Sequence, residues 1–310
     1  MSTPTTIIFG PTGHVGSAAA LTSQTHGAKV ILALRDIQKR IPGLAADQEK
    51  GGNFERVHAD LTKPDTIEAA VRSTSAKRAF IYLAHGTPDH MRGTIEALKA
   101  GGVDFVVFLS SFAVQGDLRS IQPSEIIAFL HGQVEINLGE VFGADGYVAL
   151  RPAFFNTNAM LWAKMLREGE VKVAYPQSTF DWISPTDIGR VAGRLLVQGI
   201  EATAGEEERN FVTLCGPKLV SQADALNIFG RAIGKEVKIT EVDAEEGVRI
   251  LIENGLPEFA AGPLVKSLGN GGEQYRGDRY TKGSENLVKY AGSATSLEEW
   301  ALANKEMFNV

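Results

Sequence analysis

Three glycines spaced G-x-x-G-x-x-G, at Gly10, Gly13 and Gly16, stand between Thr5-Thr6-Ile7-Ile8-Phe9 and Ser17-Ala18-Ala19-Ala20-Leu21. The first run is β-prone and the second is mostly helix-forming, so the stretch predicts a strand, a tight turn and a helix. Glycine at the first place permits a sharp turn off the strand. At the second it lets backbone approach a pyrophosphate without an intervening Cβ, and at the third it lets the helix pack close to the sheet. The unpaired N–H groups at the helix start, aided by the helix dipole, then face phosphate. The chemistry is dinucleotide binding; without the flanking strand and helix, the same spacing would be an ordinary glycine-rich loop.

The residue that chooses between dinucleotides falls at the end of the next strand, about twenty residues on. Lys29-Val30-Ile31-Leu32-Ala33-Leu34 reads as that strand, and Arg35-Asp36 closes it. An acid there would bind a ribose 2′-hydroxyl, whereas a guanidinium fork suits a 2′-phosphate. Arg35, with Lys39 and Arg40 close behind, favours NADP(H) over NAD(H). Asp36 is the one contrary residue. Taken singly, Lys39 and Arg40 equally suit a solvated helix face.

A second group could act on a substrate. Ser110-Ser111-Phe112 follows the predicted fifth strand, on the sheet edge where ligands bind, and the serine pair could hydrogen-bond a carbonyl or cap the loop. His131 and Glu135 lie four apart, on one face of a helix predicted from about Ser124 to Val141. A histidine is the commonest general acid or base, and Glu135 could orient it or raise its pKa. The plainer alternative is a packed histidine with Glu135 bonded to backbone or sugar. Tyr82, His85, Tyr175 and Asp181 are further candidates. Phe112, Phe154, Phe155, Met160, Trp162 and Trp182 could line an apolar site, or form core. His85 and His90 have no third histidine or Cys pair beside them, so no metal site is expected.

The elements that must position these groups alternate. Strands are expected at Phe54 to Asp60, Arg78 to Ala84, Val103 to Leu109 and Tyr147 to Leu150. Helices open at Thr62-Lys63-Pro64-Asp65 and run from Pro88 to Lys99. Several strands are apolar throughout, which indicates an α/β fold with a doubly wound parallel sheet covered on both faces. Beyond Asn156 the rhythm changes. Asn158 to Arg167 looks helical, Ser184-Pro185-Thr186-Asp187 opens a helix, and Ser221 and Ser296 start others. Gly269 to Gly283 is expected to be mobile.

The 310 residues are 44% hydrophobic and 22% charged, which suits one large core or two smaller ones. A formal charge of −6 argues against general nucleic-acid affinity. Apolar runs are too short to cross a bilayer. Cys215 is the only cysteine, which excludes an intramolecular disulfide and a multi-Cys zinc site. No basic-then-apolar leader opens the chain, and a cytoplasmic setting is the expectation.

With these residues laid out, nearly the whole chain resembles the NmrA-like branch of the atypical short-chain dehydrogenase/reductase superfamily. The resemblance rests on the glycine loop, Arg35-Asp36, Asp60-Leu61, Ser110-Ser111-Phe112 and the His131 to Glu135 helix. It extends to Leu150-Arg151-Pro152, Phe155-Asn156, Trp182 to Gly189 and Glu299-Trp300-Ala301. It implies a Rossmann-type NADP(H)-binding domain over 1–157, also receiving the 180–200 and 208–216 segments, and a smaller α/β substrate-binding domain over most of 158–310. Carried onto this chain, its cofactor contacts fall on Gly10, Thr12, Gly13, His14, Val15, Gly16, Arg35, Lys39, Asp60, Leu61, Ala84, His131, Phe154 and Asn156. Phe112, Phe155 and Trp182 fall at the substrate pocket.

The wider superfamily uses Tyr-x-x-x-Lys, the tyrosine moving a proton and the lysine lowering its pKa. Here the matching residues are His131-Gly132-Gln133-Val134-Glu135, so that pair cannot operate. Three functions follow from the resemblance. One is an NADPH-dependent reductase of a small, fairly apolar molecule, with His131 or Ser111 handling the proton beside Glu135. Another is an NADP(H)-responsive regulator with a protein partner. The third is a non-redox isomerase, dehydratase or cyclase. A monomer or homodimer is expected. Titration with NADPH and NADH, followed by nicotinamide fluorescence, should show preferential NADPH binding that Arg35→Ala weakens; equal binding of both would place the preference on Asp36 or the backbone.

Overall fold

The computed structural model describes residues 4–206 and 209–308. They form two compact units. The first comprises the described residues up to Ala153 with Pro185–Leu214 and Asn286–Ser293; the second comprises Phe154–Ser184, Cys215–Glu285 and the described residues from Ala294. The return of Asn286–Ser293 to the first unit is absent from the sequence reading. Glu208, where one expected segment begins, lies outside the described residues.

In chain order the first unit runs β1 (Thr5–Phe9), α1 (His14–Thr25), β2 (Lys29–Leu34), α2 (Ala46–Gly51), β3 (Phe54–His58) and α3 (Pro64–Thr74). It continues with β4 (Arg78–Tyr82), α4 (Arg92–Gly101), β5 (Phe105–Leu109), α5 (Ile126–Phe142) and β6 (Tyr147–Pro152). In the second unit follow α6 (Ala163–Glu168), β7 (Glu170–Ala174) and β8 (Thr179–Phe180). The chain re-enters the first unit for α7 (Pro185–Gln198) and β9 (Phe211–Leu214). The rest is β10 (Val220–Ser221), α8 (Gln222–Ala232), β11 (Lys238–Val242), α9 (Ala244–Glu253), α10 (Glu258–Gly269), α11 (Arg279–Ala291) and α12 (Leu297–Ala303).

Seven parallel strands in the order β3-β2-β1-β4-β5-β6-β9 make the central sheet. Their inner residues are apolar on both faces because helices cover both; Ile7, Ile31 and Ala79, side by side in register, are all fully buried. The strand order reverses between β1 and β4, which opens a crevice at their carboxyl ends. Helix α1 is held against α7 by missing side chains. A Cβ added at Gly189 would lie 2.4 Å from the Ala18 Cβ and 2.5 Å from the Val15 carbonyl oxygen, and one at Gly193 would lie 2.6 Å from the Thr22 Cβ.

Some elements differ from expectation. The helix expected from Pro88 begins only at Arg92, because His90 and Met91 are both left-handed (φ 51° and 63°) and reverse the chain first. Asp89 then accepts the Gly93 N–H at 2.8 Å. The helix expected from Asn158 starts as a 3-10 turn over Asn156–Trp162. The 269–283 run, expected to be mobile, contains the 3-10 turn Glu273–Tyr275, with Tyr275 buried.

The second unit pairs β7 with β11 in parallel and β8 with β10 antiparallel. Its core is aromatic: Phe154, Phe180, Trp182, Phe229, Trp300 and Phe308 meet ring to ring at 4.4–6.4 Å. Beside it Asp181 is buried, and its carboxylate accepts the Phe154 N–H (2.8 Å), the Gly216 N–H (2.8 Å) and the Tyr275 hydroxyl (2.6 Å). Burial outweighs these three bonds and pushes Asp181 up to about 6, while it drives the Tyr275 phenol well above its ordinary range. A carboxyl whose folded pKa is raised stabilises the fold below its unfolded value, and the contribution is lost as pH rises through the folded one. The stability advantage of the parent over Asp181→Asn should therefore grow by about 2 kcal/mol as pH falls from 7 to 4. Urea unfolding across that range measures it; a constant difference would mean that Asp181 titrates normally.

Candidate nucleotide-binding site

A cleft of about 320 Å³ opens at the carboxyl ends of β1 to β4, where the strand order reverses. Of the residues expected at a cofactor, Gly10, Thr12, Arg35, Lys39, Asp60, Leu61 and Ala84 line it. Asp36, Tyr82 and His85 line it too, together with Pro11, Thr62 and Leu83, which the sequence reading did not single out. These three directly neighbour residues that it did, so proximity to a strand end was the available signal.

The three glycines have separate causes. Gly10 turns the chain at φ +67°, and a Cβ there would lie 2.6 Å from the Tyr82 ring. Gly16 presses on the turn itself, since a Cβ would sit 2.2 Å from the Gly10 carbonyl oxygen. Gly13 is different. Its backbone is extended (φ −88°, ψ 161°), and an added Cβ would meet only the Gly10 oxygen at an ordinary 3.5 Å. Nothing in the chain itself demands glycine there. No side chain caps α1, and its first N–H groups, from His14, Val15 and Gly16, are the ones a phosphate would take.

The charges around the cleft suit an anionic nucleotide. The Asp36 carboxylate accepts the Gln38 N–H at 3.0 Å and the Asp36 carbonyl accepts the Lys39 N–H, which folds the loop back toward the cleft. Asp60 accepts the Thr62 N–H (3.0 Å) and hydroxyl (2.8 Å), and the N–H bond foremost, with the nearby Arg35 and Lys63 charges, lowers its pKa. Arg35 and Lys39 remain the cationic groups facing the cavity.

Further along the sheet edge, the residues expected to do chemistry are arranged differently from expectation. Glu135 is buried on α5, and its carboxylate pairs with Arg151 of β6 through Nη2 (2.6 Å) and Nε (3.1 Å), while Ser110 donates to the same group. Arg151 also lies over the Phe211 ring at 3.8 Å. Glu135 is thus committed to Arg151 and Ser110 rather than orienting His131. The signal for this was a lone arginine in the otherwise apolar strand Tyr147-Val148-Ala149-Leu150-Arg151, since a buried cation needs a counter-charge. Ser111 accepts the Ala113 N–H at 3.2 Å, the loop-capping role of the two foreseen for the serine pair.

His131 donates from Nδ1 to the Ile127 carbonyl at 2.8 Å, because a carbonyl can only accept. Burial, above all, lowers its pKa, with a weak push the same way from His85; the Ile127 bond and the Glu135 charge oppose it without overcoming it. The ring is therefore neutral at pH 7, with Nε2 as its unprotonated nitrogen. Phe112 is buried, its N–H bonded to the Pro152 carbonyl. Among the residues of the second unit, Trp182 is core, its indole N–H donating to the Val220 carbonyl at 3.1 Å. Phe155 is half-buried in a bridge with Ile183, and Asn156 is wholly buried with no hydrogen-bond partner for its amide among the described residues. Phe112, Phe155 and Trp182 do not line the nucleotide cleft.

A parallel α/β sheet with a glycine-turned cleft at its switch point defines the class: a Rossmann-type dinucleotide-binding fold. The chain belongs to the NmrA-like family, whose model matches residues 2–301. It is 36% identical to the nitrogen metabolite regulation-like protein bik4 of Gibberella fujikuroi, across 95% of this chain and 94% of that protein. Among solved structures, the NADPH-dependent quinone oxidoreductase QOR2 of Escherichia coli complexed with NADPH superposes with a TM-score of 0.70 at 19% identity, covering 96% of this chain and 98% of that one. NmrA, a negative transcriptional regulator, in complex with NADP, superposes with a TM-score of 0.67 at 15% identity, covering 99% and 97%.

The open space at Gly13 gives a direct test of the cleft. Gly13→Ala should fold with stability within about 1 kcal/mol of the parent, because the site is sterically open and only the helix cap changes. Its affinity for a dinucleotide should drop by roughly tenfold or more, because the methyl occupies the phosphate approach. Thermal melting and fluorescence titration separate the two effects; unchanged affinity would remove the phosphate role of this turn.

Proposed function

We propose that the protein binds NADP(H) in the cleft and passes hydride to a small, fairly apolar organic acceptor of the quinone, enone or imine kind. The observation that carries the binding half is the open space at Gly13 beside the uncapped start of α1, with Arg35 and Lys39 across the cleft. Residues at Gly10, Thr12 and Gly13 to Gly16 would hold the pyrophosphate, and Arg35 with Lys39 the 2′-phosphate. Bound there, NADPH supplies the hydride.

What the chain's own residues contribute is positioning and a proton. The superfamily's lysine is replaced by Glu135, whose charge Arg151 neutralises, and its tyrosine by His131. His131 keeps Nδ1 on Ile127, so the proton it gives must come from Nε2 of the charged ring. Burial makes that form scarce at pH 7. Glu135 acts here through Arg151 and Ser110, and Ser111 shapes the loop.

A second reading is a regulator that responds to NADP(H) without turning it over. It is favoured by the locked Glu135–Arg151 pair and by the regulation-like name of the 36% identical relative. Steady-state assays with quinone, enone and imine panels decide between them. Under the reductase reading, kcat/KM rises as pH is lowered through a value below 6.5, and His131→Gln loses that limb and about a hundredfold in rate, far more than any loss of NADPH affinity. NADPH binding with no turnover of any acceptor selects the regulator.

A further inference from the structure

Arg56 stands outside the cleft, on β3, and none of the roles above uses it. Yet it spends all three guanidinium nitrogens on one loop and one helix. Nη1 donates to the carbonyls of Ile37 and of Lys39 (2.8 Å), while Nε and Nη2 (2.9 Å) donate to the two oxygens of Glu49 on α2. The ion pair is about three-quarters or more shielded from solvent on each side, at 26% and 19% exposure. That is dry enough to hold one geometry, and Arg56 holds the Glu49 carboxyl below the usual range.

The loop so held runs from Arg35 to Lys39 and carries the cations of the cleft. Its own bonds are few: the Asp36 side chain to the Gln38 N–H and the Asp36 carbonyl to the Lys39 N–H. Two carbonyls of an exposed loop are thereby satisfied from beneath by a fixed fork, which a lysine's single ammonium cannot reproduce.

We infer that the Arg56–Glu49 pair is a positioning device for cofactor selection, pre-ordering the Arg35–Lys39 loop for the 2′-phosphate of the dinucleotide; this rests on the NADP(H) reading above. Ordering the loop before binding removes an entropic cost that only a ligand needing the loop would otherwise bear. NADPH should therefore depend on Arg56 and NADH should not. The pair touches neither pyrophosphate turn nor reaction end.

The test is fluorescence titration of the full chain with NADPH and with NADH, for the parent, Arg56→Met, Arg56→Lys, Glu49→Gln and Arg35→Ala. Arg56→Met should weaken NADPH roughly tenfold and NADH by less than about twofold, with Arg56→Lys and Glu49→Gln falling between it and the parent. Adenosine 2′,5′-bisphosphate should follow NADPH, and 5′-AMP should follow NADH. An unchanged preference in Arg56→Met and Glu49→Gln, with Arg35→Ala still losing it, overturns the positioning role alone. Equal weakening of both nucleotides also overturns it, by marking the pair as general support. A parent that does not prefer NADPH overturns the underlying reading, and the inference with it.

Discussion

The close approach of α1 to its surroundings is the constraint on which the nucleotide end depends. On one side Gly16 meets the Gly10 carbonyl, where a single methyl would sit 2.2 Å from the oxygen; on another, Gly189 and Gly193 bring α7 onto Ala18 and Thr22. Backbone packed on backbone has no soft side chain to yield, so the helix has one position. Its uncapped first turn is fixed with it. Site geometry is thus a by-product of packing: the same absent Cβ atoms that let the helix seat also fix its uncapped N-terminus after the turn at Gly10.

The other end of the sheet edge is held by charge rather than contact. Glu135 and Arg151 are both nearly inaccessible, and each would be expensive alone; together, in a two-point pairing completed by Ser110 and the Phe211 ring, they satisfy one another. Losing one partner would leave a bare buried charge, at a cost of about 3–5 kcal/mol. Glu135 is thereby part of the fabric of the domain rather than a free carboxylate.

Local chemistry was legible in the sequence where it is local in the structure. The β1 strand and glycine turn, the β2 strand ending at Arg35, the proline start of α3, and the serine starts of α8 and α12 all depend on neighbours a few residues apart. What escaped depends on distant partners. The delayed start of α4 needs two left-handed residues that no composition demands, and Arg151 finds Glu135 across sixteen residues. Trp182 could have been pocket or core on its sequence alone, and only its indole bond to Val220 and its ring neighbours decide for core. Periodicity tells which side chains are buried, not what they meet.

The Glu135–Arg151 pair also bears on which substitutions the chain can accept. A single change of Glu135→Lys would set two cations side by side in the dry interior, and a single change of Arg151 would strand the carboxylate. Neither change toward a lysine at this position is tolerable alone. The pair holds a carboxylate at position 135 by a stability barrier, whatever chemistry the neighbouring groups perform.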